Sequence, residues 1–232
     1  MNKNRQRILW HRFWLFLYMI CATGMVTAQT NQSWRDSLSV LNEQISHSPK
    51  STDLRLRKAA VNIEMGQWEY AAEEYGRVLE IDPKNLAALY FRAYANTNLR
   101  YYNLAKRDYE TFLSLQPKHF EAQLGLAMVN RLMGRKTDAL NEYNGLVHLF
   151  PDSVFAYVAR ADYEAELQQY DVALFDWDEA IRRQPRNADL VASKVDLLLR
   201  LKRYEEAWDE LQAAIGRGVP RAALKQWIDQ CK

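Results

Sequence analysis

Apolar and small residues recur along this chain with a period of 34 residues. Five consecutive windows share one register without insertion or deletion: 52–85, 86–119, 120–153, 154–187 and 188–221. Position 20 is alanine in every window: Ala71, Ala105, Ala139, Ala173 and Ala207. Position 8 is Ala59, Ala93, Ala127, Ala161 and then Val195, and position 24 is Tyr75, Tyr109, Tyr143, Trp177 and Leu211. Position 27 is Val78, Phe112, Leu146, Ala180 and Ala214. Positions 20, 24 and 27 are spaced by four and three, so they share one face of an α-helix. Small residues at 8 and 20 let two antiparallel helices approach closely, while the bulky residue at 24 fills the space against the neighbouring unit. A fixed period of this length marks a repeat architecture.

Prolines punctuate the same register. Pro49, Pro83, Pro117, Pro151 and Pro185 lie 34 residues apart. Each predicts the end of a second helix, because proline lacks an N–H and its predecessor avoids the α region. Two residues later, Ser51, Asn85, Ser153 and Asn187 are good N-caps for the next helix, whereas His119 and Arg221 are not. In the fifth window Val219 takes the proline position and Pro220 follows, which predicts an irregular turn near Gly216 and Gly218.

The charges also follow the register. Position 7 is Lys58, Arg92, Leu126, Arg160 and Lys194, and position 23 is Glu74, Asp108, Glu142, Asp176 and Glu210. Four windows thus place a base on the first helix and an acid on the second. We expect these to meet across each hairpin; such a pair is worth about 0–1 kcal/mol if exposed and would then fix register more than stability. A ligand-binding row of charge is the alternative. Asn62, Asn96 and Asn130 form a further row at position 11, either inside the hairpins or facing a peptide backbone.

The two ends read as covers. Ser33 and Asp36 form a weak capping box, and Trp34, Leu38, Leu41 and Ile45 form an apolar stripe; residues 29–50 are therefore expected to hold an N-terminal capping helix. Ala222, Leu224, Trp227 and Ile228 predict a C-terminal one over 222–232. A stacked array needs such covers, since its end units would otherwise expose core.

Residues 1–28 differ from the rest. Lys3, Arg5, Arg7 and Arg12 precede an apolar stretch from about Phe13 to Val26, and Val26-Thr27-Ala28 fits a small-x-small cleavage site. These are the parts of a secretory signal peptide, and the run resembles bacterial export signals that end in Ala-Gln. An uncleaved anchor over residues 8–28 is the competing reading.

Composition and charge bound what remains. The 232 residues are 48% apolar and 12% aromatic, with few Gly and Pro, which suits a helical protein. Beyond residue 28 there are 27 basic against 29 acidic residues, a balance that gives no electrostatic reason to expect nucleic acid. Cys21 and Cys231 suggest neither a disulfide framework nor a metal site. His47, His119 and His148 lack partners at ligand spacing, and no Gly-rich phosphate loop or nucleophile elbow occurs. No catalytic residue, cofactor or metal is expected.

A small residue at 8, an aromatic at 17 (Trp68, Tyr102, Tyr170, Tyr204), Ala at 20, an aromatic at 24 and Pro at 32 resemble the tetratricopeptide repeat (TPR) family over residues 52–219. The usual Trp at 4, Leu at 7 and Tyr at 11 are largely missing, and Gly at 15 survives only as Gly66 and Gly134. The resemblance implies an all-α, right-handed superhelical solenoid of antiparallel helix pairs, with five repeats and capping helices. It further implies a concave groove lined by the first helices around positions 2, 5, 9, 12 and 13. Those positions supply the candidate partner-binding residues Tyr90, Tyr94, Leu124, Met128, Arg131, Phe155 and Asp162, with Glu166 and Asp196 making the C-terminal part acidic. Packing between adjacent first helices is the bland alternative for Tyr90 and Tyr94. The Lys and Asn clamp of chaperone-tail receptors is absent: Leu56, Ala60, Tyr90 and Tyr94 occupy its positions. The expectation is an exported, non-catalytic scaffold binding a peptide or helix in the periplasm or cell envelope. An envelope component anchored in the inner membrane, or a glycan or small-ligand binder, are the alternatives.

Overall fold

The structure, a computed structural model, describes residues 24–231, with side chains from Gln32 onward. The predicted export signal therefore lies outside the described residues except for 24–28, which enter only as helix backbone. The described residues are helical throughout, with no strand. They fall into two compact units, up to Ala88 and from Leu89 onward.

The first unit holds α1 (Gly24–His47), α2 (Thr52–Glu64), α3 (Trp68–Ile81) and the opening turn of α4 (Leu86–Asn98). α1 starts upstream of the expected cap, so Ser33 is an interior residue whose carbonyl accepts from the Ser37 hydroxyl at 2.9 Å. Nothing between Gly24 and Ser33 breaks a helix, and the Gln32 amide bonds Asp36 one turn on at 3.0 Å, so continuation outweighs the weak capping box. Leu41 is buried, with Trp34, Leu38 and Ile45 half-buried around it. α2 packs on both α1 and α3.

The second unit continues with α5 (Tyr102–Leu115), α6 (Phe120–Leu132), α7 (Lys136–Leu149), α8 (Val154–Glu166), α9 (Tyr170–Arg183), α10 (Ala188–Arg200) and α11 (Tyr204–Gly216). A 3-10 turn (Arg221–Leu224) and α12 (Lys225–Gln230) follow. From α5 to α11 each helix packs on the next, and α12 covers α10 and α11, burying Leu224 and Ile228.

The repeat positions are the core. The alanines at position 20, the residues at position 8 and those at position 27 are all buried, most of them completely. Tyr75, Tyr109, Tyr143 and Trp177 at position 24 are at most 3% exposed. Large apolar side chains contribute about 1.5–3 kcal/mol each when fully buried. The alanines contribute little area and instead set the distance between helices.

Backbone geometry marks each hairpin turn. Position 15 has a left-handed conformation in every window: Gly66 (φ 69), Arg100 (φ 64), Gly134 (φ 71), Gln168 (φ 64) and Lys202 (φ 60). The following N–H then closes the turn on the position-11 carbonyl, as in Gln67 to Asn62 at 2.8 Å and Gln169 to Glu164 at 2.8 Å. Ser51, Asn85, Ser153 and Asn187 cap the first helices as expected. His119, expected to be no cap, also serves as one, accepting from the Ala122 N–H through Nδ1 at 3.2 Å. An imidazole nitrogen that carries no proton is an acceptor with the reach of an Asn oxygen. In the irregular last turn Gly218 takes φ 95 and Val219 is buried.

All four expected base–acid pairs form: Lys58–Glu74 at 2.8 Å, Arg92–Asp108 at 2.7 Å, Arg160–Asp176 at 2.6 Å and Lys194–Glu210 at 2.5 Å. Glu74, Asp108 and Asp176 are buried, because position 23 turns inward beside the small residues at 8 and 20. Further cations join, Arg55 on Glu74 at 2.7 Å and Arg217 on Glu210 at 2.6 Å. Burial works against the charge of Glu74, but hydrogen bonds from Lys58 and Arg55 outweigh it and hold its carboxyl below the ordinary range.

Candidate functional site

The candidate residues all lie on first helices of the second unit, yet they do different things. Tyr90 on α4 is a packing residue. Its ring stands edge-on to Phe91 and Tyr109, at centroid distances of 5.1 and 6.0 Å, and contacts His119 at 5.7 Å. Burial pushes its hydroxyl up to about 12. Leu124 on α6 is buried in a core with Ala127, Ala139, Tyr143 and Leu146. Both therefore offer structure more than surface. Position 5 packs toward the second helix of its own hairpin, Tyr90 against Tyr109 and Phe112 and Leu124 in the cluster of Tyr143 and Leu146.

Positions 9, 12 and 13 form the accessible face. Tyr94 on α4, Met128 on α6 and Asp162 on α8 are half-buried. Arg131 on α6 forms an ion pair with Glu166 on α8 and lies 5.7 Å over the Tyr163 ring. The guanidinium thus ties two adjacent first helices together across this face. Farther along, Asp196 on α10 accepts from the Trp227 indole N–H at 2.7 Å. The expected acidic stretch is therefore largely engaged: Glu166 by a cation and Asp196 by an indole. Phe155, at the start of α8, is 56% exposed.

The position-11 asparagines do not reach this face. Asn62, Asn96 and Asn130 are at most 4% exposed and lie within their hairpins, which rules out the peptide-facing alternative. The position-7 and position-23 charges are likewise taken up in the ion pairs.

Two features had readable signals that the register alone did not single out. Position 30 changes from Ile81, Leu115 and Leu149 to Arg183 and Arg217. Arg183 donates to the Pro151 carbonyl at 2.6 Å and to the Tyr157 hydroxyl at 2.8 Å, and lies 4.0 Å over the Tyr157 ring. Arg217 reaches the Pro185 carbonyl at 3.3 Å. Each of these ladder prolines leaves a carbonyl free at a helix end, and an arginine from the next unit takes it up. The second feature is Glu164, which stands in the asparagine row.

Among the described residues no three His, Cys, Asp or Glu side chains cluster as metal ligands, and no helix is long and apolar enough to cross a membrane.

Comparison with known proteins agrees with this architecture. The tetratricopeptide repeat family model matches residues 98–154 and 158–223, more than half of the chain. No curated protein matches it. Among solved structures, the crystal structure of MamA is similar with a TM-score of 0.63 and 16% identity, over 73% of this chain and 99% of that one. A tetratricopeptide repeat protein from Parabacteroides merdae gives a TM-score of 0.61 at 21% identity, over 88% of this chain and 79% of its own. YrrB, described as a TPR protein with an unusual peptide-binding site, gives 0.58 at 18% identity, over 82% and 97%. At these identities the likeness is one of fold. With paired helices in a 34-residue register, position 20 always a buried alanine, and the family model matched over most of the second unit, the chain belongs to the tetratricopeptide repeat family.

Proposed function

We propose that this protein is a non-catalytic interaction scaffold that holds a peptide or helix along the first-helix face of its second unit. Repeats of its family generally serve protein or peptide binding, and the solved structure of YrrB is described with a peptide-binding site. The observation that carries the reading is the Arg131–Glu166 bridge. It joins α6 and α8 on the same face that presents Met128 and Asp162, so side chains from successive helices form one surface and not separate patches. Tyr94 and Phe155 extend it with aromatic area, the residue type that supplies most binding energy at interfaces. The site of action is the periplasm or cell envelope, a reading supported by the basic, apolar and small-residue order of residues 1–28.

Affinity capture from envelope extracts tests the face. Wild-type protein retains a partner that Tyr94→Ala/Met128→Ala loses; unchanged capture by the double variant counts against this surface. Sequencing the mature N-terminus tests export. A terminus near Gln29 is expected, and one at Met1 argues for a retained segment.

A further inference from the structure

The buried charges of the fourth hairpin do not balance. Arg160 on α8 meets both oxygens of Asp176 on α9 at 2.6 Å. Glu164, one turn along α8, adds a second carboxylate whose Oε1 lies 3.8 Å from Arg160 Nε. Asp176 is fully buried and Glu164 is 3% exposed. One cation therefore faces two buried acids. The other groups around them do not redress this. From α7 the Asn144 side-chain oxygen accepts from Arg160 at 3.1 Å and brings no charge. On α10, Lys194 is engaged with Asp178 and Glu210.

Three other hairpins avoid the problem; in the remaining one, of α6 and α7, Glu142 stands opposite Leu126, and burial with nearby Glu110 and Asp138 raises its carboxyl against Lys106. Glu74 has two cations, Arg55 and Lys58, and Glu210 has Lys194 and Arg217. Arg92 alone faces Asp108. At position 11, where Glu164 stands, the other units carry Asn62, Asn96, Asn130 and Leu198, none of which ionises. Glu164 Oε2 also has no hydrogen-bond partner. A proton on this carboxyl turns an oxygen without a donor into a donor, with the Asp176 carboxylate beside it.

We propose that the fourth hairpin, residues 154–183, is a proton-held joint: Glu164 and Asp176 share one proton beside Arg160, and its loss loosens the packing of α8 on α9. Burial and the neighbouring Asp176 push the Glu164 carboxyl up to about 7, against some lowering by Arg160. The folded value is raised above the ordinary 4.5. The stabilisation is thus complete below that ordinary value and is lost as pH rises through the folded one. The joint therefore tightens in mildly acidic surroundings and loosens in mildly alkaline ones, whatever the first-helix face binds.

Urea unfolding of the full chain between pH 5 and pH 8 tests this, with wild type compared to Glu164→Gln and to Glu164→Asn, the residue of the other units. Relative to either variant, the wild-type unfolding constant should rise about tenfold per pH unit up to neutrality and then level off. Parallel pH profiles for all three proteins would overturn the proposal. If neither variant folds, a carbon-13 NMR titration of wild type decides. A Glu164 side-chain midpoint near neutrality supports the shared proton, and one in the ordinary carboxylate range refutes it.

Discussion

Arg160 donates through Nε and Nη2 to both carboxylate oxygens of Asp176, each at 2.6 Å, joining residues sixteen apart across the fourth hairpin. Removing one partner of a buried pair leaves the other charge uncompensated and typically costs about 3–5 kcal/mol. Here Glu164 waits 3.8 Å away. Asp176→Ala should therefore lose only about 1–2 kcal/mol, because Glu164 takes over the guanidinium, while Asp176→Ala/Glu164→Gln should lose the larger amount. Urea denaturation of the single and double variants measures this. A double variant no less stable than Asp176→Ala would show that Glu164 is no reserve partner.

Gly125 sits in the middle of α6, where a glycine weakens a helix by roughly 1 kcal/mol against alanine. A Cβ there would lie 2.5 Å from the ring of Tyr109, itself buried by the neighbouring helices. Gly125→Ala should destabilise the protein by about 1–2 kcal/mol, since overpacking exceeds the helix-propensity gain. Gly145 in α7 faces open space, with no atom within 4 Å of the place a methyl would take. Gly145→Ala should stabilise by up to about 1 kcal/mol. Opposite shifts in thermal midpoint are the expected result; equal signs would remove the steric account.

Gln168 holds φ 64 in the turn between α8 and α9, where the equivalent residues of two other turns are Gly66 and Gly134. A side chain in this region costs roughly 1–2 kcal/mol, partly offset by the freedom glycine adds to the unfolded chain. Gln168→Gly should thus raise stability by about 0.5–1 kcal/mol, read as a higher urea midpoint at unchanged slope. A lower midpoint would mean that the Gln side chain contributes more than its conformation costs.

The helices, their order and the core positions were legible because they depend on local rules. Ala at 20 and an aromatic at 24 recur on one helical face, Pro at 32 stops a helix, and Ser or Asn at 34 starts one. The base–acid pairing was legible for the same reason: positions 7 and 23 keep a constant offset, and a hairpin of fixed length brings them together. The candidate site was harder to read. Tyr90 and Leu124 lie on the same first helices as the accessible residues, and only the packed hairpin shows that position 5 turns onto its second helix.

Residue order was enough to define the repeating unit, since helix period, proline and caps act within a few residues. The burial of the acids at position 23, the arrival of Arg55 and Arg217 as second cations, and the reach of Arg131 to Glu166 came from the packed helices. These contacts are made between helices, where approach distance and side-chain reach set the partner. Glu164 belongs to both levels: its place in an asparagine row is visible along the chain, but its excess charge exists only once Arg160 and Asp176 have closed around it.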